Sequence, residues 1–166
     1  LLGKQRINYQ IPNMGQCKGC HQRNGTLQPI GPTAKQLNRN HLYDGGKSIN
    51  QLRRLSRLGL LSVSEKEAFP KFSVWNDPET GSLNERARAY LEMNCAHCHR
   101  KEGPAKNSGL YLMSTSNSSY ALGIMKAPVA AGSGSGQLGY DIVPGQPEAS
   151  IFFASNEFNR AGSDDA

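Results

Sequence analysis

Cysteine and histidine recur in one spacing at two places in this chain. Cys17-Lys18-Gly19-Cys20-His21 and Cys95-Ala96-His97-Cys98-His99 together use every cysteine in the 166 residues. Cys-x-x-Cys-His is the spacing at which haem c is attached covalently. Two thiols about one helical turn apart add across the two vinyl groups of a porphyrin, and the imidazole that follows is carried beneath the ring to the iron. The pair of motifs predicts two haem c groups, bonded to Cys17, Cys20, Cys95 and Cys98, with His21 and His99 as proximal iron ligands. Four thiolates would also suit tetrahedral zinc. Only 4 of the 166 residues are histidine, however, and one of them follows the second cysteine in both motifs, which favours haem. Thioredoxin-like chemistry would want a single dithiol beside a βαβ pattern, and none is visible.

The sixth ligand separates carriers from enzymes, because a saturated iron passes electrons while an open one binds small molecules. Two histidines remain. His41, in a glycine-rich region well beyond His21, is the candidate distal ligand of the first haem, against a surface histidine as the alternative. His97 lies inside the second attachment loop and would have to serve another haem or another subunit. Among the methionines, Met14 and Met93 precede the attachment cysteines too closely to reach over their own haems, although Met93 could approach the first haem from the neighbouring helix. Met113 and Met125 are candidates for the second haem, with Met125, beside Lys126-Ala127-Pro128, favoured over Met113; core packing is the commoner fate of a methionine.

The net charge of +6 belongs to the protein alone. Two propionates on each haem would offset much of it. The basic residues are scattered, and the densest stretch, Arg53-Arg54 with Arg57, reads as the solvated face of a helix, so nucleic-acid binding is not expected. A basic rim that steers an acidic redox partner is compatible with this pattern. No apolar run is long enough to cross a bilayer, and Leu1-Leu2-Gly3-Lys4-Gln5-Arg6 lacks the apolar centre of a secretion signal. Haem c is attached after export in bacteria, so the motifs predict a periplasmic or extracellular protein of which this chain is a processed or excised piece. With 18 glycines, 9 prolines and 7% aromatic residues, the protein core should be modest, and a buried porphyrin would supply much of what is missing.

The elements that must position the motifs follow from pattern. Residues 13–21 should form a short helix ending in the first motif, after which Gly25, Pro29, Gly31 and Pro32 enforce a loop. In residues 48–58, Ile49, Leu52, Leu55 and Leu58 mark one face of a helix, with Ser48 as N-cap and Gly59 as terminator; Leu60, Leu61 and Val63 extend its apolar surface over the first haem. The break at Asp77-Pro78-Glu79-Thr80-Gly81 divides the chain into an N-terminal haem domain, 1–76, and a C-terminal one, 77–166. Ser82 and Glu85 form a capping box opening a helix that runs into the second motif. Residues 107–119 and 132–136 read as loop and turn, and Pro147 starts a short helix. The expected fold is mainly α with extensive loops, cytochrome c-like helices packing around two covalently bound haems.

The chain resembles a group of exported bacterial dihaem c-type cytochromes with class I cytochrome c character. The matching segments are Ile30-Gly31-Pro32-Thr33 through Leu37-Asn38-Arg39, Asn50-Gln51-Leu52, Asn94 with the second motif, Lys126-Ala127-Pro128-Val129-Ala130-Ala131-Gly132, and Tyr140-Asp141-Ile142-Val143-Pro144-Gly145. The resemblance implies haem binding and export. In class I cytochromes c a proline carbonyl accepts a hydrogen bond from the proximal imidazole, a part open to Pro29 or Pro32. The group continues into a Met-Pro segment and a closing helix, the usual source of a distal methionine; this chain ends at Ala166 with neither, so either the end is missing or iron is ligated differently. The expected function is electron transfer by a dihaem carrier working with redox partner proteins, a reading favoured over an enzyme without excluding one. The alternatives are a dihaem peroxidase-like enzyme with one open iron, or a protomer of a haem-stacking assembly with His97 or His41 ligating across the interface.

Overall fold

The structure, a computed structural model, describes residues 9–62, 68–129 and 132–154. Val63, Ala130 and Ala131, used in the sequence reading, lie outside them. Helix α1 (Met14–His21) begins at a reciprocal cap: the Asn13 side chain accepts from the Gln16 N–H at 3.0 Å, and the Gln16 side chain accepts from the Asn13 N–H at 2.9 Å. Two orphan donors of the first turn are thereby satisfied, and a helix of eight residues holds the whole first motif at its end.

A hairpin follows where a loop was expected. Strands β1 (Gln22–Arg23) and β2 (Thr26–Leu27) pair antiparallel around Asn24 and Gly25, at φ 48° and 80°. Asn-Gly is the dipeptide that a two-residue turn with both φ positive demands. Helix α2 (Ala34–Leu37) leads into a second hairpin, β3 (Asn40–Tyr43) and β4 (Lys47–Asn50), in which His41 faces Ile49 and Tyr43 faces Lys47. Gly45 and Gly46, at φ 87° and 75°, turn it.

These two sheets correct the expectation of a mainly α fold: the chain is mixed α and β, with extensive loops. The reason is local, since glycine-containing turns of positive φ close hairpins more readily than they continue helices. The second hairpin also moves the next helix boundary. Ile49 is taken into β4, so α3 (Gln51–Arg57) is capped by Asn50, whose side chain accepts from the N–H groups of Leu52 and Arg53, and not by Ser48. Gly59 terminates α3 as expected: at φ 70°, it lets the Leu60 N–H reach the Leu55 carbonyl and its own N–H reach that of Ser56.

Asp77 caps a 3-10 turn, Pro78–Thr80. Helix α4 (Leu83–Asn94) then opens on the expected box, the Ser82 N–H donating to Glu85 at 2.8 Å and the Glu85 N–H to the Ser82 hydroxyl at 3.3 Å. Cys95 is its C-cap. Pro147–Ala149 is a 3-10 turn, and residues 151–154 are helical. Ala96, Leu110, Leu112 and Leu122 form the buried core, with Leu91, Cys95, Met113 and Phe152 packed against it. In the first segment only Leu52 is a buried hydrophobic among the described residues, while Ile11, Met14, Leu27, Ile30 and Leu42 are exposed. No described helix is long and apolar enough to cross a membrane.

Candidate haem-attachment sites

Each motif is held by the chain that returns to it. The Asn24-Gly25 turn makes Gln28 the residue that lies beside His21. The Gln28 N–H donates to the His21 carbonyl at 2.6 Å, and His21 Nδ1 lies 3.2 Å from the Gln28 carbonyl oxygen. A carbonyl only accepts, so Nδ1 carries the proton, which in a neutral ring places the lone pair on Nε2. The acceptor is therefore Gln28, the residue before Pro29, and neither Pro29 nor Pro32.

At the second motif, the N–H groups of Cys98 and His99 both donate to the Cys95 carbonyl, at 3.0 and 2.9 Å, winding the attachment loop tightly off the end of α4. His99 Nδ1 lies 3.2 Å from the Ser108 hydroxyl, which itself donates to the Ala105 carbonyl at 2.6 Å. With its proton spent there, the hydroxyl can only accept from the imidazole. His99 reaches the same tautomer as His21, Nδ1–H with Nε2 free. Burial lowers the pKa of His99, with the nearby His97 acting in the same direction and Asp141 opposing, so the ring is held neutral, as a metal ligand must be. Gly103 completes this loop: a Cβ there would overlap the Cys98 carbonyl.

The two motifs meet. Burial raises the pKa of the Cys98 thiol, and the nearby Cys20 thiol raises it further; burial raises that of Cys95. All four cysteines are free thiols, Cys20 exposed and the others half-buried. A cavity of about 240 Å³ lies between the motifs, with Cys20, His21, Met93, His97 and Met113 in its walls. Among the described residues, no three His, Cys, Asp or Glu side chains converge as tetrahedral zinc requires.

Of the distal candidates, Met93 and Met113 share this cavity with His21, although Met113 was expected at the second haem. His41 is exposed on β3, its ring edge-on to Tyr43 at 4.8 Å, and Met125 is exposed with its backbone at φ 50°; neither lines the cavity. Met14 is exposed at the start of α1. Trp75, 6.4 Å from Tyr90, lines a separate apolar groove of about 770 Å³ along α4, beside Leu83, Ala87 and Phe152.

Gln28 and Ser108 were not foreseen as imidazole partners. Asn24-Gly25 could have pointed to the first, being a hairpin signal that begins three residues past His21; nothing local marks Ser108, nine residues beyond His99.

The donor set fits haem c. Each motif offers two thiols and an imidazole whose Nδ1 is fixed by a hydrogen bond, the usual outer partner of a ligating histidine. At about 240 Å³ the cavity is below the roughly 300–1,000 Å³ that encloses a small ligand. No protein-family model, curated protein or solved structure matches the chain.

Proposed function

We propose that the chain is a dihaem c-type cytochrome that passes electrons between redox partners outside the cytoplasm. The observation that carries this reading is the state of the two imidazoles: in both motifs Nδ1 is committed as a donor, to Gln28 and to Ser108, leaving Nε2 for iron. The resemblance to exported dihaem cytochromes agrees with it. So does the exposure of Ile11, Met14, Leu27 and Ile30, large apolar side chains close to the first motif in sequence.

A haem, when bound, supplies an iron that changes by one electron between ferric and ferrous. The chain does the rest. Cys17 and Cys20, and Cys95 and Cys98, hold the macrocycle by two thioethers each, while His21 and His99 bind through Nε2. The Gln28 carbonyl and the Ser108 hydroxyl fix the orientation of those rings and raise their basicity. Leu91, Leu110, Leu112 and Phe152 exclude water from the second site. The nearness of Cys20 to Cys98 supports short passage of an electron from one centre to the other. Export follows from the attachment chemistry, which bacteria perform outside the cytoplasm.

The test is chemical and spectroscopic. A denatured, pyridine-treated sample should give two haemochromes per chain, and ascorbate or dithionite should give sharp low-spin α bands. No haemochrome, or zinc in place of iron, overturns the reading. High-spin spectra in both oxidation states, with turnover of hydrogen peroxide by a reduced donor, would replace the carrier with the peroxidase-like enzyme.

A further inference from the structure

We infer that the chain binds a small phosphate-type oxyanion in a polar cavity between the first hairpin and the second attachment loop, with Arg23, Arg100 and Lys101 as its charge partners. These side chains lie outside the attachment motifs, and the inference does not rest on the haem reading.

The cavity measures about 480 Å³, within the roughly 300–1,000 Å³ that encloses a small ligand. Its cations come from distant parts of the chain: Arg23 follows His21 by two residues, while Arg100 and Lys101 directly follow His99. Each wall is held by the backbone. Arg23 is paired with Thr26 across the hairpin. The Arg100 N–H donates to the Cys98 carbonyl at 3.2 Å, and the Arg100 carbonyl accepts the Gly103 N–H at 3.0 Å. The opposite wall, within residues 111–118, is tied to the second motif by the Leu112 N–H, 2.9 Å from the His99 carbonyl, and to α4 by the Arg88 guanidinium, 2.6 Å from the Ser116 carbonyl.

Two observations point to an anion. The first is unbalanced charge. The wall carries three cations and one carboxylate, Glu102, and none of the four side chains makes an ion pair or hydrogen bond with another described residue. Cations elsewhere are engaged: Lys35 by Glu92, Lys126 by Asp141, Arg86 by the Trp75 carbonyl. Like charges gathered on one concave wall repel one another and concentrate the field that draws an anion in.

The second is the state of Arg100, the half-buried member of the three. Its Nε has no accessible surface and no hydrogen-bond partner among the described residues. That atom is not the contact itself; its burial means that the delocalised guanidinium charge is partly stripped of water. Desolvated charge without a counter-ion is costly, and an anion in the cavity that Arg100 lines removes the cost. A guanidinium fork matches two oxygens of a phosphate, and a lysine adds a point charge. The side chains of Tyr111, Thr115 and Asn117 supply neutral hydrogen-bonding groups for a polar body attached to it. An anion held by Arg23 and Arg100 together bridges the first hairpin to the second attachment loop.

The experiment titrates the full chain, with whatever haem it carries, with inorganic phosphate in a calorimeter at low ionic strength. One saturable site per chain is expected, and no saturable binding overturns the proposal. Arg100→Gln should weaken binding about tenfold or more, as loss of a charge-assisted contact does. Arg23→Gln and Lys101→Gln, at exposed positions, should each weaken it several-fold. Arg53→Gln, in the densest basic stretch of the sequence, should bind as the unmodified chain does; equal weakening there would show diffuse attraction to a basic surface and overturn the site. If Arg100→Gln does not fold, Arg100→Lys keeps the charge without the fork and should still weaken binding, and unchanged affinity in it overturns the role of Arg100. Phosphate should also raise the unfolding temperature of the unmodified chain more than that of Arg23→Gln, and an equal rise in both counts against the bridge. Haem content should be the same in every variant, and loss of haem with unchanged phosphate affinity overturns the proposal. Absence of haemochrome from the unmodified chain is a separate result, which removes the haem reading and leaves the phosphate site standing or falling by its own titration.

Discussion

The ammonium of Lys35 lies 3.2 Å from the carboxylate of Glu92, tying α2, just beyond the first motif, to the last turns of α4, just before the second. The same carboxylate accepts the Ser114 N–H at 2.7 Å, and Lys35 also reaches the Ser114 hydroxyl at 3.4 Å. Three stretches far apart in sequence meet at one half-buried charge. Burial alone would raise the Glu92 pKa, but the Ser114 and Lys35 contacts outweigh it and hold the group below its ordinary 4.5.

That depression sets a pH dependence. A carboxylate whose folded pKa lies below the unfolded one stabilises fully above the unfolded value, and the stabilisation is lost as pH falls through the folded value. Glu92→Gln should cost about 1–2 kcal/mol at pH 7, since the bonds lost are charge-assisted but partly wet. Urea unfolding from pH 7 to pH 3 should show the difference between the two proteins shrinking toward the acid end. A constant difference would mean that the charge contributes nothing.

Lys126 is 2% exposed, with its ammonium 3.3 Å from Asp141 and 3.1 Å from the Ala127 carbonyl. Lys126→Met strands the Asp141 carboxylate and should destabilise by about 3–5 kcal/mol, whereas Lys126→Met with Asp141→Leu should recover most of that loss. Thermal unfolding of the three proteins checks it; a double variant as weak as the single one would show that the pair is not the cause.

Gly103 has no room for a side chain against the Cys98 carbonyl. Gly103→Ala should therefore displace the second attachment loop and leave the first intact. The pyridine haemochrome of the variant should fall from two haems per chain to about one, with the remaining haem on the peptide that contains Cys17 and Cys20.

Ser108→Ala removes the acceptor of the His99 Nδ1–H. The imidazole becomes a poorer donor to ferric iron, so the potential of the second haem should rise. Loss of about 1 kcal/mol of preference for the ferric state corresponds to about 40 mV for one electron. Potentiometric titration should move one wave and leave the other, and haem content should stay at two.

The helices that carry the two motifs were legible in sequence because their causes are local. Cys-x-x-Cys-His is a chemical spacing; the box of Ser82 and Glu85 and the terminator Gly59 are choices made within one turn. The hairpins are equally local, yet Gly25 by itself reads as loop and the glycines near His41 carry no strand signal, so helical period alone starts the helix at 48: Ile49 fits that period, but its pairing with His41 in the hairpin has the stronger claim.

By itself, then, the amino-acid order determined the spacing of the paired thiols and imidazoles and where helices end beneath them, since motif spacing and capping act over a few residues. What faces what was decided by tertiary structure. The nearness of Cys20 to Cys98, the donation from His99 to Ser108, the sharing of one cavity by His21 and Met93 and the bridge from Lys35 to Glu92 all join residues separated by loops whose path no local preference fixes. Such contacts exist only once the core of Ala96, Leu110, Leu112 and Leu122 has closed and left each buried polar group to find its partner.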